Sequence, residues 1–321
     1  MVEHVAGVHR LTIAGVIAGV VAALAISVSN IALPFMYANG GDVQSFLTGR
    51  YAASGLIALI MALAVRLFVR HRSPPGGDAI VPAATGTSAR DHTLAVIAGA
   101  LYGGGALLAL GSIARIPVTL AILILFTFPI ITALMQATLD RRWPRPLEAG
   151  LLLVALAGVA LALDVEADAL DPIGLVMACG GPLCVATSFV LCERRLGNIG
   201  ALSSATLMSL GGLLVAAGFA AITGSFSLPD PGAGQRGLLI AVTGSTIAFL
   251  AMFWGVRAIG ASPTAMILNL EPVFTIALAI IVLAEVPSAQ RIMGATLVIG
   301  AVIASQMYAS VRTNHCDRHT A

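Results

Sequence analysis

Apolar runs of roughly the length needed to cross a bilayer recur ten times along the chain, each followed by a short polar or proline- and glycine-rich segment. They lie near residues 12–33, 43–65, 93–113, 117–139, 147–163, 173–192, 202–223, 237–256, 263–284 and 289–309. At 1.5 Å per residue, about 20 residues of helix span about 30 Å of hydrocarbon. Within each run apolar residues are continuous and do not alternate, which argues against barrel strands, and a backbone in lipid must satisfy its own hydrogen bonds. The pattern predicts an all-α membrane protein of ten transmembrane helices.

Composition agrees: 58% hydrophobic, 10% charged and a mean hydropathy of +0.98 exclude an ordinary soluble domain. Polar connectors at 70–91, 140–148, 164–171 and 227–237 collect prolines, glycines and charges; the first is long enough for a mobile loop. All 17 basic residues are arginines. With the N-terminus inside, 13 of them fall on the cytoplasmic side and four outside, namely Arg50, Arg115, Arg236 and Arg291. That bias predicts a multi-pass protein of the inner (plasma) membrane with both termini cytoplasmic. Net charge of +2 carries no signal for nucleic acid. Arg10 followed by an apolar stretch is also the pattern of a signal peptide, but cleavage there would leave nine spans and upset the arginine balance of each later loop.

The chain repeats itself. Residues 119–162 lie over 264–305 with Pro129 on Pro272 and Thr132 on Thr275, and Gly150 meets Gly294 after a one-residue shift. Two five-helix halves follow, residues 1–163 and 164–310, with 311–321 as a cytoplasmic tail. Five is odd, so the second half enters the membrane with opposite polarity. An inverted repeat is an architecture by which secondary transporters expose one midplane site alternately to each side.

"ARIPVTLAILILFTFPI" and "NLEPVFTIALAIIVLAEVPSAQRIMGATLVIGAVIAS" resemble the two EamA-type halves of the drug/metabolite transporter superfamily. The resemblance implies ten helices, a central cavity and movement of small metabolites. It also implies a proline-bearing helix, a loop glutamate and a glycine-bearing last helix, here Pro272, Glu285 and Gly294. The first half departs from it, with Asp140, Arg141 and Arg142 at the loop.

Glu271 is the candidate that carries chemistry. It stands beside Pro272 about 12 Å into the ninth run, near the bilayer centre. An ionised carboxylate facing lipid there costs several kcal/mol, so it belongs inside the bundle, paired with a cation or holding a proton. Such a group can exchange a proton for a substrate, whereas a neutral, hydrogen-bonded glutamate would only fix packing. Pro272 removes one helix hydrogen bond and frees a carbonyl near 268. Ser27, Ser29 and Asn30 form a polar patch in the first helix, suited to pore lining or interhelical bonding. Arg50 and Arg115 lie near span ends, where they either bind an anionic group or snorkel to the outer interface. Thr127 and Pro129, Asn269 and Trp254 complete the candidate set; Trp254 fits an interfacial anchor better than a cavity wall.

Other motifs fall away. "GAGQRG" (232–237) lacks a preceding strand, "DVEADALDPIGL" lacks the glycine and closing glutamate of a calcium loop, and "HCDRH" (315–319) sits in an end read as disordered. No metal and no cofactor is expected, and Cys179, Cys184 and Cys192 act as small apolar residues. Gly15/Gly19 and Gly99/Gly103 have the spacing that lets helices approach closely. The reading is a secondary active transporter, an exporter of a small organic metabolite, working by alternating access and coupled to protons. Its partners are the small-molecule substrate and membrane lipid, not nucleic acid, and the protein is a monomer or homodimer. A channel or sensor is the alternative; an integral-membrane enzyme fits less well, because no triad or acid/base cluster marks the membrane surface.

Overall fold

A computed structural model describes residues 2–72, 88–113, 115–116, 118–141, 145–163, 171–283 and 288–319. The described elements are all helical: α1 (Val2–Tyr37), α2 (Val43–Arg72), α3 (Ala89–Ser112), α4 (Val118–Leu125), α5 (Phe128–Leu139), α6 (Pro146–Leu163), α7 (Pro172–Arg195), α8 (Ala201–Thr223), α9 (Ala233–Ile259), α10 (Ala261–Leu268), α11 (Glu271–Leu283) and α12 (Ala289–His319). Among the described residues, eight stretches are long and apolar enough to cross a membrane, two of them being α4 with α5 and α10 with α11. The apolar parts of α6 and α12 are shorter, Pro146–Leu161 and Ile292–Ser305. The chain is a multi-pass membrane protein. Its outer wall is apolar, with Ile17, Leu56, Ile222 and Ile281 all facing outward, as contact with lipid tails requires.

Two of the predicted spans are broken. The fourth run divides at Phe126–Thr127 and the ninth at Asn269–Leu270. Proline supplies the reason: Pro129 and Pro272 have no N–H to give the carbonyl four residues earlier, so each chain tightens before restarting. Thr127 N donates to Ile124 O at 3.0 Å, and Leu270 N to Ile267 O at 3.0 Å, both bonds of the tighter three-residue kind. The last helix, in contrast, continues through residues 315–319, which the sequence reading left disordered. Neither proline nor glycine follows Gly300, so nothing local stops it.

The helices pair closely: α1 on α9, α3 on α7 and α8, α2 on α8, and α6 on α12. Small residues make this possible. A Cβ on Gly99 would lie 1.8 Å from the Met208 carbonyl oxygen, and one on Gly211 2.0 Å from that of Val96. Gly15 and Gly19 seat Ile259 and Ile267 at 2.5 and 3.0 Å. One buried cluster includes Tyr51, Tyr102, Phe189, Phe249 and Phe253.

Arg115 is not in this cluster. Its side chain is 46% exposed and bridges Asp171 at 3.0 Å. Asp171 also caps α7 by accepting from Ile173 N at 2.9 Å. The Arg115 hydrogen bond, aided by that backbone donor, holds the Asp171 carboxyl below its ordinary range. A depressed carboxyl stabilises the fold above its unfolded-state value and ceases to do so as pH falls through the folded one. Asp171→Asn is therefore expected to lower the thermal unfolding midpoint slightly at neutral pH. The gap to the wild type should close below about pH 4, checked by melting both proteins in detergent across that range. An undiminished gap in acid would refute the charge contribution.

Candidate functional site

The break at Asn269–Leu270 makes Glu271 the first residue of α11. Its carboxylate thus stands at the positive end of a half-helix, where backbone N–H groups lack intrahelical partners. Two elements hold it. Asn30 of α1 donates its Nδ2 to Glu271 Oε1 at 2.8 Å. Ser27, one turn earlier, donates to the Glu271 carbonyl at 2.9 Å, and so does Thr275 from within α11 at 2.9 Å. The polar patch foreseen in the first helix is thereby split. Asn30 and Ser27 meet Glu271, whereas Ser29 donates to Ala241 O of α9 at 2.8 Å and serves packing.

Across the centre lies Arg50. Sequence reasoning allowed it to snorkel, but it is only 9% exposed. Its Nη2 donates to the Tyr102 hydroxyl at 3.0 Å, which in turn meets the Met252 sulfur at 3.7 Å. The guanidinium carbon sits 5.2, 5.3 and 6.0 Å from the ring centres of Tyr51, Tyr102 and Phe249, within range of cation–π attraction. Its Nε has no acceptor among the described residues. No carboxylate stands within 4 Å of it there either, although Glu271 interacts with it electrostatically. Tyr51, Tyr102 and Phe249 were not foreseen. Tyr102 did leave a signal: a lone phenol beside three glycines in an apolar helix, where its hydroxyl needs a partner.

The remaining candidates separate. Asn269, 2% exposed at the break, points its Nδ2 towards the Met266 sulfur at 3.9 Å and leaves its Oδ1 without a partner among the described residues. Thr127 donates to Ile124 O at 2.6 Å at the matching break, and Pro129 is buried just beyond it. Trp254 is 41% exposed on the outside of α9, and Arg115 lies on the surface with Asp171. Glu285 lies outside the described residues. A groove of about 430 Å³ between α1, α9 and α11, walled by Val28, Phe35, Ile240 and Leu278, is apolar and distinct from the Glu271–Arg50 centre.

Interactions recur at matching places. Ser29 bonds Ala241 O, and Ser188 of α7 bonds Ala98 O of α3, both at 2.8 Å. Thr132 bonds Phe128 O at 2.7 Å as Thr275 bonds Glu271 O. The offset that carries Pro129 to Pro272 also carries Ala98 to Ala241 and Phe128 to Glu271; that from Ser29 to Ser188 carries Asn30 to Phe189. The Asn30–Glu271 hydrogen bond thus corresponds to the Phe128–Phe189 ring contact, whose centres are 5.6 Å apart.

One end of the bundle is tied by groups the sequence did not single out. Glu193, near the end of α7, accepts from Ala261 N at 2.9 Å and from the Gln136 side chain. Arg257 donates to Leu196 O and to Ser204 Oγ, each at 3.0 Å.

Comparison with known proteins adds two findings. The sequence model of the EamA-like transporter family matches residues 172–306. One solved structure, described as "Crystal structure of protein", shares 17% identity with a TM-score of 0.74, covering 92% of this chain and 96% of that one. At that identity the likeness shows the fold alone. No curated protein matches.

Proposed function

We propose, from the match of residues 172–306 to the EamA-like transporter family, a membrane transporter of the drug/metabolite type: a secondary carrier that moves a small organic metabolite by alternating access, with proton coupling through Glu271. The observation that carries this reading is Glu271 at the start of a half-helix in the middle of an interrupted span, held by Asn30. Discontinuous spans whose half-helix ends face a central site are how carriers bind substrate and coupling ion.

The matched contacts support ten helices arranged as two inverted halves, residues 1–163 and 164–310. The threonine and proline positions recur under one offset and the serine positions under a second, and α1 lies on α9 as α7 lies on α3. With five spans in each half, both termini face the cytoplasm, as the arginine distribution favours. Carriage is read as outward, across the inner membrane, with no cofactor and no enzymatic step.

Reconstitution tests the reading. Proteoliposomes are expected to show flux that saturates with solute concentration and labelled-solute counterflow, in which outflow of unlabelled solute drives transient uptake of label. A pore gives neither saturation nor counterflow, and either result would replace the carrier by the channel alternative. Single cysteines placed at residue 5 and residue 318 should react with an impermeant maleimide from the same side of oriented vesicles. Labelling from opposite sides would remove the inverted repeat.

A further inference from the structure

Arg50 poses a question that proton coupling alone does not answer. A guanidinium in the interior of a membrane protein is costly unless its donors are satisfied, yet Arg50 Nε lacks an acceptor among the described residues and no carboxylate lies within 4 Å. The adjacent Tyr51 hydroxyl is also buried without a partner among the described residues. Donors are thus left over beside a cation, which suits an acceptor-rich anionic group. The surrounding walls are rings: Tyr51, Tyr102, Phe249 and Phe253 meet edge to face at 4.9–5.9 Å. They suit an apolar body behind the anion.

Charge sets the rest. α11 packs against α1, α6 and α12. Residues 13–36, 149–161 and 292–305 of those helices contain no charged or titratable side chain. From the other side, Glu271 meets Arg50 electrostatically, with the phenols of Tyr51 and Tyr102 around that arginine. The empty centre is neutral when Glu271 is ionised, Arg50⁺ against Glu271⁻. Adding a monoanion alone would leave one net negative charge in a low-dielectric interior, where its attraction to Arg50 is shared with Glu271. Neutrality returns if Glu271 takes a proton.

We propose that the site binds an organic monocarboxylate with an aromatic-sized apolar body, its carboxylate on Arg50, and that each anion enters together with one proton, which Glu271 carries. This rests on the carrier reading above and refines its coupling: the proton travels with the substrate and is not exchanged for it. The loaded and empty sites carry the same charge, so the step that crosses the membrane potential moves none.

The test uses the full chain in detergent and four probes sharing one body: 3-phenylpropionate, 3-phenylpropylamine, phenylalanine and 3-phenylpropanol. Calorimetric titration in buffers of different ionisation enthalpy reads affinity and proton uptake together. The expected result is 3-phenylpropionate binding at least about 30-fold tighter than the others, the scale of one buried charge pair, with uptake of one proton per anion. Glu271→Gln should keep anion binding and lose the proton uptake. Arg50→Gln should weaken the anion by a similar factor, and Arg50→Lys should retain the preference for anion over amine. Tightest binding of the amine or of phenylalanine, anion binding without proton uptake, or binding of none of the four would each overturn the proposal. Should Arg50→Gln fail to fold, the wild-type ranking and proton count still decide. Counterflow in vesicles separates the two readings. Saturable exchange of the amine keeps the carrier and removes the anion, whereas anion binding without any exchange removes the carrier and keeps the anion site.

Discussion

Replacing Glu271 by glutamine is expected to abolish pH-driven accumulation in proteoliposomes while leaving counterflow exchange in place. A gradient of one pH unit supplies about 1.4 kcal/mol per coupled proton, enough for about tenfold accumulation of the transported solute. Wild-type protein should approach that ratio and the variant should stay near unity. Glutamine keeps an oxygen for Asn30 Nδ2 to donate to, at the place where Glu271 Oε1 accepts at 2.8 Å. The contacts of Ser27 and Thr275 go to the backbone carbonyl, which the substitution does not touch. The helix junction therefore survives and the ability to take up a proton does not. Exchange of label for unlabelled solute needs no net proton movement, so it persists. Unchanged accumulation in the variant would show that Glu271 serves packing alone.

Gly99→Ala is expected to have the largest effect on stability. Its new Cβ would lie 1.8 Å from Met208 O, 2.4 Å from Met208 C and 2.5 Å from its Cα, all backbone atoms of α8 that no rotamer change can move away. Overpacking a tight core costs about 1–3 kcal/mol, and a backbone-on-backbone clash belongs at or above the top of that range. Gly104, on the same helix, has nothing among the described residues within 4 Å of its Cβ position. There alanine should stabilise by up to about 1 kcal/mol through helix propensity alone. Opposite shifts of the two variants in thermal melts of purified protein would confirm that α3 and α8 touch through their backbones. Equal shifts would contradict it.

Much of the architecture was legible because membrane helices are written in long apolar runs, and the boundaries at 43, 139, 163 and 223 coincide with helix ends. The breaks were half legible. Pro129 and Pro272 signalled a lost hydrogen bond, but a proline need not break a helix: Pro34 in α1 and Pro182 in α7 each lie inside an unbroken element. Glu271 could be singled out because a lone acid in an apolar run has few other reasons to be there. Its partner Asn30 stood out as polar, yet nothing in the sequence joined two residues so far apart. Arg50 and Arg115 read alike, each near a span end, and the fold separated them: one turns inward among rings and the other pairs with Asp171 at the surface. Tyr51 and Phe249 carried no mark at all, since aromatic residues in apolar helices usually only pack.

The two interrupted spans behave as jointed rods. In a continuous helix, bending at the middle breaks several backbone hydrogen bonds at once. Here Pro129 and Pro272 each already forgo one of those bonds, and the bonds beside them at Phe126–Thr127 and Asn269–Leu270 include the tighter three-residue kind, so α10 can swing against α11, and α4 against α5, at a lower cost. Flexure is concentrated at the depth of the carboxylate, and each joint has a long arm on one side and a short one on the other, α10 spanning eight residues and α11 thirteen. A small rotation at the pivot becomes a wide sweep at the tip of the longer arm, so the alternating access proposed above need disturb little around the acid itself.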